Sequence, residues 1–230
     1  QILSVLEKHD VNVKESFMLS RLGCPEEKVV KLTDSKLSDF KQASKSLKPL
    51  ALGITYKKPP SDISYFQGQD DDAFKTDGNI TKKDIRALTL SELKSFGSEV
   101  LWDIGAGSGS ISIEWCLGHP KNVAFAIERR RDRISLIKAN RKKFGLQERL
   151  TVKHGSIETI AKDLPTPNAV FIGGGVTSDL IYQVIKALGK NSRLVINAVT
   201  LESQALLLKK YKQFGGNLKK INISKPKPIG

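Results

Sequence analysis

One stretch constrains this chain more than any other: Leu101-Trp102-Asp103-Ile104-Gly105-Ala106-Gly107-Ser108-Gly109-Ser110, an apolar run that ends in three glycines at alternating positions. Glycine tolerates the positive φ of a sharp turn and lets a ligand come close to the backbone. An apolar strand that feeds such a loop, with a helical pattern over about 109 to 117 behind it, predicts a strand–turn–helix unit. Open sheets bind ligands at the carboxyl end of such a strand. The spacing G-x-G-x-G departs from the G-x-G-x-x-G of dinucleotide folds, where the helix amino terminus cradles a pyrophosphate. About 20 residues beyond the loop, Phe125-Ala126-Ile127-Glu128 closes the next apolar run with an acid, where a carboxylate accepts ribose hydroxyls.

The rest of the chain repeats this alternation. A helix over about 81 to 95 precedes apolar runs at Glu99 to Ile104, Val123 to Ile127, Leu150 to Val152, Ala169 to Ile172 and Arg193 to Ala198. Helical patterns lie between them at about 109 to 117, 131 to 144, 156 to 162 and 177 to 188, and another follows at 201 to 214. Strands that alternate with helices of this length predict an α/β fold with a doubly wound, mostly parallel sheet. Leu218 to Ser224 reads as one further edge strand. Ahead of this, residues 1–56 read as short α/β elements: a helical tail to about Lys8, a strand from Val11 to Leu19, a Gly-Cys-Pro break and an extended run from Lys28 to Leu32. A helix from Asp34 to about Leu47 and a strand from Leu50 to Tyr56 complete that piece. Residues 57–80, with Lys57-Lys58-Pro59-Pro60, three consecutive aspartates and Gly78, read as a linker. The sole methionine is Met18 and Gln1 opens inside an amphipathic pattern, so the chain is expected to be a fragment of a longer protein.

Strand, D-x-G-x-G-x-G, helix, strand, acid resembles the class I S-adenosylmethionine-dependent methyltransferases, over roughly residues 81–225. That resemblance implies that Asp103, Gly105, Ala106, Gly107, Ser108 and Gly109 surround the methionine part of S-adenosylmethionine and that Glu128 holds its ribose. Further segments narrow it: Asp71-Asp72-Ala73-Phe74, Asp77 to Ala87, Ala126-Ile127-Glu128-Arg129, Val170 to Gly175 and Asn197 to Glu202. Together these resemble the precorrin-6Y C5,15-methyltransferases (decarboxylating) of the cobalamin pathway, whose carboxyl-terminal half also occurs as a separate precorrin-6B methyltransferase. The resemblance implies carbon-15 methylation of a precorrin with loss of an acetate carboxyl. It adds Thr81, Ser156 and Ile157 to the cofactor site, although many relatives carry an acid where this chain has Ser156. Residues 1–56 are similar to the carboxyl-terminal part of the preceding tetrapyrrole methyltransferase domain, and residues 81–230 form the class I domain. Without the first domain's glycine-rich segment, carbon-5 methylation is not expected. Free-standing relatives imply a homo-oligomer.

Methyl transfer from a sulfonium to carbon needs alignment rather than a side-chain nucleophile. No dedicated nucleophilic side chain is therefore required. Gly173, Gly174 and Gly175 stand where amino-methylating enzymes carry Asn/Asp-Pro-Pro-aromatic, which argues against N-methylation and leaves room for a bulky, flat substrate. Asn197 and Thr200 close the fifth run on the same rim. Lys82 and Arg86, one helical turn apart, are expected to face one side of the helix and to pair with substrate carboxylates. Cys24 and Cys116 form no disulfide framework, and neither they nor His9, His119 and His154 have metal-ligand spacing. No apolar run reaches the roughly 20 residues of a membrane span, so a cytoplasmic location is expected. The excess of 38 Lys+Arg over 24 Asp+Glu, a net charge of +14, suits a polycarboxylate tetrapyrrole. It suits RNA as well, which keeps an RNA methyltransferase or a non-enzymatic nucleic-acid-binding module as alternatives. Basic residues cluster between Arg129 and Lys143 and between Lys209 and Lys227, and few aromatic residues lie near them, which weighs against stacking on nucleic acid.

Overall fold

The computed structural model describes residues 13–32, 51–56 and 67–224. The chain divides into two units, Gln1–Asp62 and Ile63–Gly230. In the first, β1 (Val13–Ser20) runs antiparallel between β2 (Lys28–Leu32) and β3 (Ala51–Tyr56). Every second side chain of β1, Ser16, Met18 and Ser20, is buried, the period of two that a half-covered sheet imposes. The turn into β2 is held by the Gly23 N–H, which donates to Glu27 Oε2 at 2.8 Å. The helices expected up to Lys8 and from Asp34 to Leu47 lie outside the described residues.

The second unit is a five-stranded parallel sheet of order β6-β5-β4-β7-β8, built from β4 (Val100–Ile104), β5 (Val123–Glu128), β6 (Leu150–His154), β7 (Ala169–Ile172) and β8 (Arg193–Ile196). The helices are α1 (Lys83–Leu93), α2 (Ser110–Gly118), α3 (Arg131–Lys143), α4 (Ile157–Ile160), α5 (Ser178–Ala187) and α6 (Leu201–Phe214). The sheet separates two cores, and β4 shows how. Leu101 points into a cluster with Leu90, Leu93, Trp115 and Ile137, while Trp102 and Ile104 point into the other, with Ile157, Leu180 and Val184. A central parallel strand is covered on both faces and so reads as an unbroken apolar run. The buried pattern of β7 and the half-buried pattern of the edge strand β8 follow from the same rule.

All five expected strands and the helices of the second half are present, with ends shifted by a few residues. Two expectations need correction. Residues 218–224 form no strand: no ladder partner lies beside them among the described residues, and Lys219 reaches out to Glu92 at 2.5 Å. Residues 67–80 are no free linker. The N–H groups of Gly68 and Gln69 donate to the Glu114 carboxylate at 2.6 and 3.1 Å, and Lys75 exchanges hydrogen bonds with the Asn140 amide at 2.7 and 2.8 Å. The segment thus belongs to the second unit, whose boundary falls at Asp62.

Candidate active site

A cavity of about 600 Å³ opens at the carboxyl ends of the parallel strands. Its floor is the glycine loop between β4 and α2. The N–H groups of Gly105 and Ala106 both donate to the Ile127 carbonyl, at 2.9 and 3.2 Å, and so fasten the loop to the neighbouring strand. Gly105 has φ +72°, and a Cβ there would lie 3.3 Å from the Gly174 carbonyl oxygen. Gly109 has φ +77°, and a Cβ there would lie 2.9 Å from Ile137 Cγ2. The first glycine admits the close approach of the β7 loop; the other lets α2 pack on α3.

Glu128, at the end of β5, is almost wholly buried. Its Oε2 accepts from the Gly107 N–H at 3.0 Å, and its Oε1 accepts from the N–H groups of Arg129 and Arg130 at 2.8 and 2.9 Å. An ionised carboxylate has about four acceptor sites. Three are taken within the protein, which leaves one on Oε2 rather than the two that a pair of hydroxyls needs.

Asp103 lies beneath the loop, with Oδ2 accepting from the Ser112 N–H at 3.1 Å and from its hydroxyl at 2.6 Å. Its Oδ1 and the Ser108 hydroxyl are buried with no hydrogen-bond partner among the described residues. Burial pushes the Asp103 carboxyl up to about 6, against the Ser112 hydrogen bonds and with help from the Glu128 charge. Burial likewise pushes the Cys116 thiol up to about 12, which makes it a packing residue rather than a nucleophile.

Opposite the floor, Asn79, Ile80, Thr81 and Lys82 form a wall ahead of α1. This wall hangs on Arg86, which is 0% exposed. Its Nε donates to Glu114 Oε1 at 2.5 Å, its Nη1 to Asp71 Oδ1 at 3.0 Å and to the Thr81 carbonyl at 2.5 Å, and its Nη2 to the Gln69 carbonyl. The Phe74 ring lies 4.8 Å from Arg86 Cζ. Farther round, Asn197 donates through Nδ2 to Thr89 Oγ1 at 2.9 Å, stapling the end of β8 to α1.

Residues 72–230 match the family model of the precorrin methyltransferase domain. The chain belongs to the precorrin methyltransferase family. It is 46% identical, over 71% of its length, to a precorrin-6Y C(5,15)-methyltransferase (decarboxylating) from Sinorhizobium, of which it spans 40%. It is 32% identical, over 68% of its length, to a probable cobalt-precorrin-6B C(15)-methyltransferase (decarboxylating) from Methanococcus maripaludis, and covers 84% of that protein. Among solved structures it resembles the C-terminal domain of precorrin-6Y C5,15-methyltransferase from Rhodobacter capsulatus, with a TM-score of 0.69 and 44% identity over 73% of this chain and 90% of that one. The chain thus spans less than half of the precorrin-6Y relative from Sinorhizobium, while its second unit has the class I methyltransferase fold.

Within this family fold, the cavity gathers Thr81, Lys82, Gly105, Ala106, Gly107, Ser108, Glu128, Ser156, Ile157, Gly173, Gly174, Gly175 and Asn197. Four expected residues stand elsewhere. Asp103 and Gly109 act from behind the loop. Thr200 caps α6, its hydroxyl accepting from the Ser203 N–H at 3.2 Å. Arg86 does not line the cavity beside Lys82: both cations reach Asp71, but Lys82 is the extended residue before α1 and the guanidinium turns inward to Glu114. The basic cluster after β5 is also not a free cationic face. Arg129, Arg130 and Arg133 line the cavity but pair with Glu158 at 3.2 Å, Asp132 at 2.6 Å and Asp77 at 2.9 Å. The Asn79 N–H and Arg133 hold the Asp77 carboxyl below the usual range. Asn79, Ile80 and Val199 also line the cavity; they lie in segments that carry the family resemblance, which does not single them out as site residues. Among the described residues no cluster of His, Cys, Asp or Glu could hold a metal, and no helix is long and apolar enough to cross a membrane.

Proposed function

We propose that the second unit methylates carbon 15 of a precorrin-6B-like ring from S-adenosylmethionine and releases carbon dioxide from an acetate arm, a step of corrin-ring synthesis in the cytoplasm. The observation that carries this is the glycine loop on the cavity floor, fastened through the Gly107 N–H to the buried Glu128 carboxylate, which keeps one acceptor site open on Oε2. An amino acid joined to a nucleoside fits a glycine-lined floor with a carboxylate at its end. Bound there, S-adenosylmethionine supplies a methyl group already activated on a sulfonium. Gly105, Ala106, Gly107, Ser108 and Thr81 would surround its methionine part. The open acceptor site on Glu128 Oε2 takes one ribose hydroxyl. Ser156 and Ile157, at the start of α4, would border the base. Asp103 sets a negative charge beneath the loop without lining the cavity. Gly173 to Gly175, Asn197 and Lys82 would face the ring, and the protein's work is to align carbon, methyl and sulfur while excluding water. Residues 1–56 would be the carboxyl-terminal part of a tetrapyrrole methyltransferase domain.

Calorimetry with S-adenosylhomocysteine tests the cofactor half. Gly107 has φ +59°, and a Cβ there would be in ordinary contact with the Asn79 carbonyl at 3.7 Å, so the branched side chain of Gly107→Val strains the turn and fills cavity space, and should abolish binding. Equal binding by the wild type and the variant would remove the assignment. The substrate half is tested by offering the carbon-5-methylated precorrin under anaerobic conditions and following product mass. Gain of a methyl in place of hydrogen with loss of carbon dioxide is expected, whereas methylated RNA and an unchanged precorrin would refute the reading.

A further inference from the structure

A cavity of about 600 Å³ is the size that encloses one drug-sized ligand. If S-adenosylmethionine fills it, a tetrapyrrole macrocycle, which is larger than that cofactor, has to lie across the mouth. The rim that follows β8 has an unusual surface there. Val199, which lines the cavity, is 89% exposed, and Leu201, two positions on, is 79% exposed; among the described residues no other large apolar side chain is as exposed as either. Single exposed apolar residues are ordinary, but Val199 lines the cavity itself and Leu201, at the start of α6, continues its apolar surface away from the lining. Their backbone is firmly set. Asn197 is stapled to α1, and Thr200, between the two apolar residues, is locked by its capping box with Ser203. The shelf is therefore presented rigidly, not on a loose loop.

Cations stand on both sides of the mouth. On the β5 side, Arg129, Arg130 and Arg133 hydrogen-bond their acids at 3.2, 2.6 and 2.9 Å. On the α1 side, the Lys82 ammonium, 66% exposed, is within ion-pair distance of Asp71 at 3.8 Å, too long for a hydrogen bond. Its N–H donors are open to a carboxylate. The backbone of Gly173 to Gly175 adds no side chain between these groups.

We infer that Val199 and Leu201 form an apolar shelf on which one face of a polycarboxylate tetrapyrrole lies, its edge over Gly173 to Gly175 and a carboxylate toward Lys82. This rests on the cofactor and precorrin reading above and deepens it, by naming the residues that select a flat apolar ring. Both side chains project from the surface, so polar replacements leave the core intact.

The test titrates wild type, the double variant Val199→Ser/Leu201→Ser and a control, Phe96→Ser, with uroporphyrin in saturating S-adenosylhomocysteine, reading porphyrin fluorescence. Phe96, also exposed, precedes β4 and so lies at the opposite, amino end of the strands. Half-burial of two aliphatic side chains is worth about 20-fold in affinity. The double variant should lose that factor while its calorimetric affinity for S-adenosylhomocysteine stays within about twofold, and Phe96→Ser should match wild type. Unchanged porphyrin affinity in the double variant overturns the shelf, and does so equally if sedimentation shows that the variant has instead lost self-association. A wild type that binds S-adenosylhomocysteine but no porphyrin overturns the shelf and spares the cofactor reading. Failure to bind S-adenosylhomocysteine removes both.

Discussion

Replacing Arg86 by Met should be among the most damaging single changes available outside the cavity. The guanidinium and the Glu114 carboxylate are both 0% exposed and 2.5 Å apart. Met fills much of the same volume but removes the positive charge. Glu114 would then keep two N–H donors, from Gly68 and Gln69, against the cost of an uncompensated buried charge. The carbonyls of Gln69 and Thr81 would lose their donor as well. Breaking a buried pair from one side costs about 3–5 kcal/mol. Adding Glu114→Gln removes the stranded charge, so the double variant should regain about 2 kcal/mol relative to the sum of the single changes. Urea unfolding followed by tryptophan fluorescence measures this in the right place. Both tryptophans, Trp102 and Trp115, are buried in the second unit, and Trp115 adjoins Glu114. A cost below about 1 kcal/mol for Arg86→Met, or strict additivity of the pair, would refute the argument that desolvated charge dominates here.

Other changes probe the loop and the carboxylates. Asp103 is held at about 6 in the folded protein against 3.8 for a free aspartate side chain, so its contribution to stability is full below about pH 4 and falls as pH rises to about 6. Asp103→Asn should therefore be more stable than wild type by up to about 3 kcal/mol at pH 8 and equal to it near pH 4; a difference independent of pH would contradict the burial argument. Gly109→Ala combines positive φ with a Cβ 2.9 Å from Ile137 and should cost about 2–4 kcal/mol in chemical denaturation, and a neutral result would mean that α2 can slide. Glu128→Ala should weaken S-adenosylhomocysteine binding by about 1–3 kcal/mol in calorimetry, with no change expected only if the ribose lies elsewhere.

Much of the second unit was readable because its signals are local. Each parallel strand is an unbroken apolar run, and the glycines and Glu128 announce themselves at the ends of two of them. Pairings between distant segments were not readable. Lys82 and Arg86 have helical spacing, yet Lys82 sits at φ −60° and ψ 148°, outside the helix, so the rule of shared faces does not reach it. One clue did stand in the sequence: Glu114 is a lone charge inside Ile111-Ser112-Ile113-Glu114-Trp115-Cys116, and a carboxylate in so apolar a helix needs a buried cation. The composition of 67–80 suggested a linker because its anchors, Glu114 and Asn140, lie 46 and 65 residues from Gly68 and Lys75. The apparent cationic face failed for the same reason, since Asp77 and Glu158 come from either side of it in the chain. Residues 218–224 have strand alternation, but alternation without a partner makes no ladder.

The fastening of two loop N–H groups to the single carbonyl of Ile127 has a consequence for the order of assembly. Until β5 docks beside β4, that carbonyl is not in place and the glycines have no reason to hold their turn. The far wall, from β7 and β8, arrives later in the chain still. Occupancy of the cavity is therefore a readout of the completed sheet, and a ligand that binds only the finished form stabilises it by mass action, about 2.7 kcal/mol at a hundredfold excess over Kd. In hydrogen exchange, S-adenosylhomocysteine should accordingly slow the amides of the edge strand β8, which touches little of the floor, along with those of β4.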